Sequence, residues 1–141
     1  MQAVKSQSAQ RRRLSIFIAD DIPDTVMTLA AILRDDGHTV YTCASGLLAV
    51  EAIQRCKPDV CILDLVMPGK NGFAIARQVL ALDLPKRPML IAISAVFGSK
   101  SSDKMLAETV GFDYFLQKPA DPGELLFLLD SYTGGDSPSA A

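Results

Sequence analysis

The chain has 141 residues, 49% apolar and 21% charged, with a net charge of −2. That is the length and composition of one globular domain, neither disordered nor strongly basic, and no nucleic-acid partner is expected. No apolar run approaches the roughly 20 residues of a membrane span and Met1–Arg13 lacks a secretory apolar stretch, so no membrane partner is expected either.

The first 13 residues are polar, end in Arg11-Arg12-Arg13, and read as a flexible, solvated arm. Leu14–Ala19 is a predicted strand running into Asp20-Asp21. Asp24 is suited to cap a helix through Val26, Leu29, Ala30 and Leu33 that stops at Gly37. Thr39–Thr42 is a short strand. Ser45-Gly46 opens a helix to Cys56, which Pro58 ends. Val60–Leu63 is an unbroken apolar strand ending at Asp64, and Pro68–Gly72 is a loop before a helix over Phe73–Leu82. Met89–Ile93 is another apolar strand, ending at Ser94, and Ser101–Val110 is a helix stopped by Gly111. Tyr114–Gln117 is the fifth strand and runs into Lys118-Pro119. Pro122 suits the first turn of a last helix over Gly123–Tyr132, and Thr133–Ala141 is a loose, flexible tail. One domain over residues 14–132 is expected, between the arm and the tail.

Five strands alternating with five helices predict an α/β fold with a parallel sheet covered on both faces. Right-handed crossovers then make a doubly wound five-stranded sheet the natural topology. In such sheets ligands bind beyond the carboxyl ends of the strands. There the sequence places Asp20, Asp21, Asp64, Ser94 and Lys118, far apart along the chain.

Three carboxylates crowded together repel, so one holds a proton or a cation sits among them. Oxygen ligands without His or Cys favour a hard ion, Mg²⁺ or Mn²⁺. With one such ion and Lys118 the site is neutral and can admit an anionic phosphoryl group. Asp64 is the candidate nucleophile. Lys118 would pair with one phosphoryl oxygen and the Ser94 hydroxyl with another.

The cysteines Cys43, Cys56 and Cys61 are odd in number and form no C-x-x-C pair, which points to neither a disulfide framework nor a zinc site and fits a reducing cytoplasm. Cys61 reads as a core residue and His38 as a surface turn residue. The methionines read mostly as core. The run Leu125-Leu126-Phe127-Leu128-Leu129 covers more than one helical face, so the last helix, with strand five and the fourth helix beside it, is expected to form a homodimer or partner surface.

The ordered set of motifs resembles the receiver domain of two-component response regulators. It comprises Ile18-Ala19-Asp20-Asp21, Ala44-Ser45-Gly46, Pro58-Asp59, the run Leu63 to Gly72, Ser94-Ala95, and Gly111 to Pro119. The resemblance implies a flavodoxin-like (βα)5 fold with strand order 2-1-3-4-5. It implies that Asp64 takes a phosphoryl group from a histidine kinase or a histidine phosphotransfer protein. Asp20, Asp21, Asp64 and the Val66 backbone carbonyl would hold Mg²⁺, and Ser94 and Lys118 would contact the phosphoryl group. Ser94 and Phe115 would form a switch that signals to a downstream protein partner, and the Lys118-Pro119 bond is expected to be cis. Phosphorylation and dephosphorylation would be self-catalysed, without enzyme turnover.

Val66 and Val96 are apolar where many relatives are polar, which predicts slow hydrolysis of the acyl phosphate. Ala120 stands where a Phe is frequent, which predicts looser local packing. A haloacid-dehalogenase-type phosphatase would need a second Asp two residues after its nucleophile in the first loop, where Ile22 follows Asp20-Asp21. A flavodoxin-like cofactor binder would need a phosphate loop there instead of two acids. A degenerate receiver that only binds partners would not need the intact five-residue set.

Overall fold

A computed structural model of the protein describes residues 13–95 and 101–132. The expected arm and tail, and Val96, lie outside the described residues apart from an exposed Arg13. The elements alternate without exception: β1 Ser15–Ala19, α1 Pro23–Asp35, β2 Thr39–Cys43, α2 Gly46–Cys56, β3 Val60–Asp64, α3 Gly72–Leu80, β4 Met89–Ser94, α4 Ser101–Val110, β5 Tyr114–Gln117 and α5 Pro122–Asp130. All neighbouring strands pair in parallel, in the order β2-β1-β3-β4-β5. This is the doubly wound, flavodoxin-like α/β sheet that the sequence implies.

Alternation along the strands divides the core in two. Phe17, Ala19, Cys61, Leu63, Leu90 and Ala92 face one way, with Ala49 and Ile53 of α2, Ile75 and Val79 of α3 and Ala107 of α4. Ile16, Ile18, Val60, Ile62, Ile91 and Ile93 face the other way, with Leu29 and Leu33 of α1 and Leu125 and Leu129 of α5. The three central strands, apolar on both faces, are buried on both faces. Among the described residues, no helix is long and apolar enough to cross a membrane.

Several local expectations change. Asp24 does not cap α1: Ile22 holds the cap position without a side-chain bond, and Pro23 occupies the first turn, where its missing N–H costs nothing. Asp24 lies within that first turn, where a negative charge suits the helix dipole. Helix α3 begins at Gly72 because Asn71 caps it, accepting from the Ala74 N–H, and it ends at Leu80. Helix α5 ends at Asp130.

His38 is not a surface residue. Its side chain is 7% exposed. Nδ1 accepts the Leu14 N–H at 3.1 Å, and Nε2 lies 3.3 Å from an Asp36 carboxylate oxygen. Met67 is core, whereas Met27 and Met105 are exposed. The leucines of α5 are mostly accounted for by packing. Leu125 and Leu129 are buried, Leu126 and Leu128 pack partly against the same cluster, and Phe127 alone of the five projects into solvent. Ala120 packs against that cluster too, half-buried.

Candidate functional site

The parallel strands deliver their last residues to one edge. Asp20 follows β1, and its backbone N–H donates to the Cys43 carbonyl of the neighbouring strand at 3.1 Å. Its side chain turns back on the chain, with Oδ1 accepting the Ile22 N–H at 2.9 Å. Asp64 closes β3, and Oδ1 accepts the Val66 N–H at 3.0 Å in the same manner. Both carboxylates are buried, while Asp21 is partly exposed.

Lys118 joins them. Its backbone N–H donates to the Ser94 carbonyl at 3.0 Å, which continues the β4–β5 ladder by one residue. The Lys118–Pro119 peptide is cis. The Nζ donates to Asp64 Oδ2 at 2.8 Å and lies 2.9 Å from Asp20 Oδ2. That second contact is one of charge, since Asp20 Oδ2 is buried and makes no well-directed hydrogen bond.

One carboxylate oxygen from each of Asp20, Asp21 and Asp64 lies within 4.8 Å of the others. At such a separation and an effective dielectric near 20, two unit charges repel by about 3–4 kcal/mol. Burial raises the Asp64 pKa above the usual carboxylate value, and the Asp20 charge adds to the rise. The Lys118 hydrogen bond and the Val66 N–H pull it partly back. For Lys118, burial favours the neutral amine, but the Asp64 hydrogen bond and the charges of Asp64 and Asp20 outweigh it and raise the pKa. Among the described residues, one lysine thus meets two of the three acids, which leaves the cluster net negative.

Ser94, the last residue of β4, is fully buried. By strand alternation it shares a sheet face with Ala92, and Phe115, the register partner of Ala92, packs half-buried against the core on that face. Ser94 and Phe115 are therefore on one side of adjacent strands. Val66 is 63% exposed, in the loop after Asp64. A groove beside the site is lined by Asp20, Pro23, Val26, Met27 and Cys43.

The glycines of this region matter for their lack of a side chain. A Cβ on Gly72 would lie 2.5 Å from the Asp64 carbonyl oxygen, and one on Gly46 would fall onto the carbonyl oxygen of Lys70. Both glycines lie within the sequence motifs, but nothing in the sequence says what each touches.

Residues 16–130 match the family model of the response regulator receiver domain. The chain is 32% identical to PilH of Pseudomonas aeruginosa over 121 residues, covering 85% of this chain and 98% of that one. It is also 32% identical to an uncharacterised 14.6 kDa protein of Leptolyngbya boryana over 128 residues, covering 91% of this chain and 96% of that one. The receiver domain of the sensor histidine kinase PA1611 of Pseudomonas aeruginosa, solved with a magnesium ion coordinated in its active-site cleft, superimposes with a TM-score of 0.75. That likeness carries 26% identity and covers 84% of this chain and 95% of that one. The chain belongs to the receiver-domain family of two-component signalling.

Proposed function

We propose that this receiver accepts a phosphoryl group on Asp64 from the phosphohistidine of a histidine kinase or histidine phosphotransfer protein. A bond forms from an Asp64 carboxylate oxygen to phosphorus as the donor's phosphorus–nitrogen bond breaks, and the departing imidazole takes up a proton. The observation that carries the reading is the convergence of Lys118 with Asp20, Asp21 and Asp64. The acids are too many for one ammonium, and the reactive carboxylate is held by bonds from Lys118 and the Val66 N–H.

The donor set suits Mg²⁺, or Mn²⁺, because it offers hard carboxylate oxygens and a buried Asp20 Oδ2 without a well-directed hydrogen bond. Asp20, Asp21, Asp64 and the Val66 carbonyl would hold it. When bound, it supplies the positive charge that offsets the acids and the incoming phosphoryl oxygens. Lys118 would then turn from the carboxylates to a phosphoryl oxygen, and the Ser94 hydroxyl would bind another. Movement of Ser94 makes room for Phe115 on the shared face, and this repacking signals to a protein partner.

Uptake and loss of phosphate are self-catalysed, so the protein is a signal carrier in the cytoplasm and not a turnover enzyme. The exposed, apolar Val66 offers no group to position a water near Asp64, which supports slow hydrolysis. For a homodimer or partner surface on α5 and β5, the support narrows to Phe127, with Met105 and Leu106 of α4 exposed nearby in the fold order.

The test is intact mass after incubation with acetyl phosphate, with and without Mg²⁺, beside Asp64→Ala. One phosphoryl adduct that needs both Mg²⁺ and Asp64 is expected. No adduct under conditions that load a control receiver, even at the earliest times sampled, would leave a binding module that keeps the residues without the chemistry.

A further inference from the structure

We propose that Gly46 is a positioning residue for the phosphoacceptor loop, acting through the backbone of Lys70. The proposal rests on the receiver reading above and extends it to α2, an element that contributes no group to the acid cluster.

Gly46 is the first residue of α2 and is not among the glycines with positive φ, so its requirement is for space and not for an unusual backbone. A Cβ there would overlap the Lys70 carbonyl oxygen and lie 2.6 Å from the Lys70 carbonyl carbon and 2.9 Å from its amide nitrogen. All three are main-chain atoms of one residue. No rotamer change relieves the clash, so either the helix or the loop must move.

The loop is the part that yields. Helix α2 is held by the fully buried Ala49 and Ile53, and its first turn is capped by Ser45, whose Oγ accepts the Leu47 N–H at 3.2 Å. On the other side, Val66, Pro68 and Gly69 are exposed and only Met67 between them is buried. Lys70 is also tied onward, with Nζ donating to Gln78 Oε1 at 2.7 Å, and the next residue, Asn71, caps α3. A push on Lys70 therefore travels back toward Val66, whose N–H holds Asp64 Oδ1 and whose carbonyl is the proposed metal ligand. Leu47 also stands close to the loop, with its Cγ 3.2 Å from where a Cβ on Gly69 would be. The start of α2 thus acts as a backstop that sets where the loop lies.

The experiment compares wild type, Gly46→Ala and Ile53→Val, the last being a buried residue of the same helix away from the loop. Mg²⁺ affinity is read by titration calorimetry, phosphoryl uptake from acetyl phosphate by intact mass, and stability by thermal unfolding. Both variants are expected to fold with reduced stability. Gly46→Ala should lose about tenfold or more in Mg²⁺ affinity, as disturbing the surroundings that orient a metal ligand typically does, and should load phosphate more slowly. Ile53→Val should bind Mg²⁺ as wild type does.

Wild-type behaviour of Gly46→Ala, or an equal loss of affinity in Ile53→Val, overturns the proposal. Should Gly46→Ala fail to fold, amide NMR of the wild-type chain decides. Added Mg²⁺ should move the Gly46 and Leu47 signals together with those of Val66, Met67, Gly69 and Lys70, and unmoved Gly46 and Leu47 signals beside a moving Val66 overturn it. If the wild type neither binds Mg²⁺ nor forms an adduct, the receiver chemistry itself fails and takes this proposal with it, a result separable from loss in the variant alone.

Discussion

The two edges of the sheet use the same residue type in opposite ways. At the edge where the strands begin, Asp59 and Asp113 are stitched into the fold. Asp59 Oδ2 accepts the Ser15 N–H at 2.8 Å while Oδ1 pairs with Lys86 at 2.8 Å. Asp113 Oδ2 accepts the Leu90 N–H at 2.8 Å and pairs with Arg87 at 2.9 Å, and Arg87 also donates to the Gly111 carbonyl. Each of these acids has a strand N–H and a cation of its own. At the opposite edge, the carboxylates of Asp20, Asp21 and Asp64 crowd together, and among the described residues Asp20 and Asp64 share Lys118. A carboxylate with a full set of partners holds strands together, whereas carboxylates crowded around too few cations keep a capacity for binding and chemistry.

The contrast can be broken by substitution. The largest effect is expected at the crowded edge. Mg²⁺ at about 100 times its dissociation constant should stabilise the wild-type fold by about 2.7 kcal/mol, and Asp64→Asn should lose most of that gain. Without metal the sign reverses. The Asp64 pKa is raised by folding, so its ionisation costs stability as the pH rises above the ordinary carboxyl value of 3.8, and the cost is full once the folded pKa is passed. In EDTA at neutral pH, Asp64→Asn should therefore be more stable than wild type, and the advantage should vanish in acid. Denaturant unfolding at the two pH values checks both, and a variant less stable than wild type in EDTA would contradict the crowding.

At the stitched edge the expectation is the converse. Asp59→Ala leaves the Ser15 N–H without its acceptor and removes one charge partner of Lys86, and should cost about 1–3 kcal/mol. Folded molecules of the variant should still take up phosphate on Asp64 at the wild-type rate, as read by intact mass. A loss of uptake matching that of the crowded-edge variants would dissolve the distinction. The smallest effect belongs to Phe127→Ala, which should change monomer stability by no more than about 0.5 kcal/mol. If α5 carries a self-association surface, sedimentation velocity of the phosphorylated protein should show weaker dimerisation in this variant, and an unchanged profile argues against Phe127 as its anchor.

Much of this contrast was legible in the chain itself. The three buried strands announced themselves as continuous apolar runs, and helix starts such as Ser45 and Pro122 were readable because caps and prolines act locally. Asp24 misled because a capping residue and a first-turn acid look alike in sequence, and only Pro23 decides between them. His38 and Met27 misled for another reason. A turn next to a glycine does not reveal that the Leu14 N–H will come to meet an imidazole, and a helical methionine does not reveal which face the sheet leaves uncovered. The leucines of α5 were legible as apolar, but whether they met a core or a partner depended on how α5 lies against the sheet.

What the sequence by itself determined is the alternation of elements, the parallel sheet that follows from it, and the identity of the polar residues at the strand ends. These depend on periodicity and on turn chemistry, which act over a few residues. What only the tertiary structure decided is which of those residues meet. Lys118 reaches Asp64 across 54 positions of chain, Asp59 rather than Asp20 receives the Ser15 N–H, and the first turn of α2 lies against the loop after Asp64. Such contacts are set by strand order and crossover, which bring distant segments together through the burial of two apolar faces, and no local pattern encodes the distance between side chains that burial brings into contact.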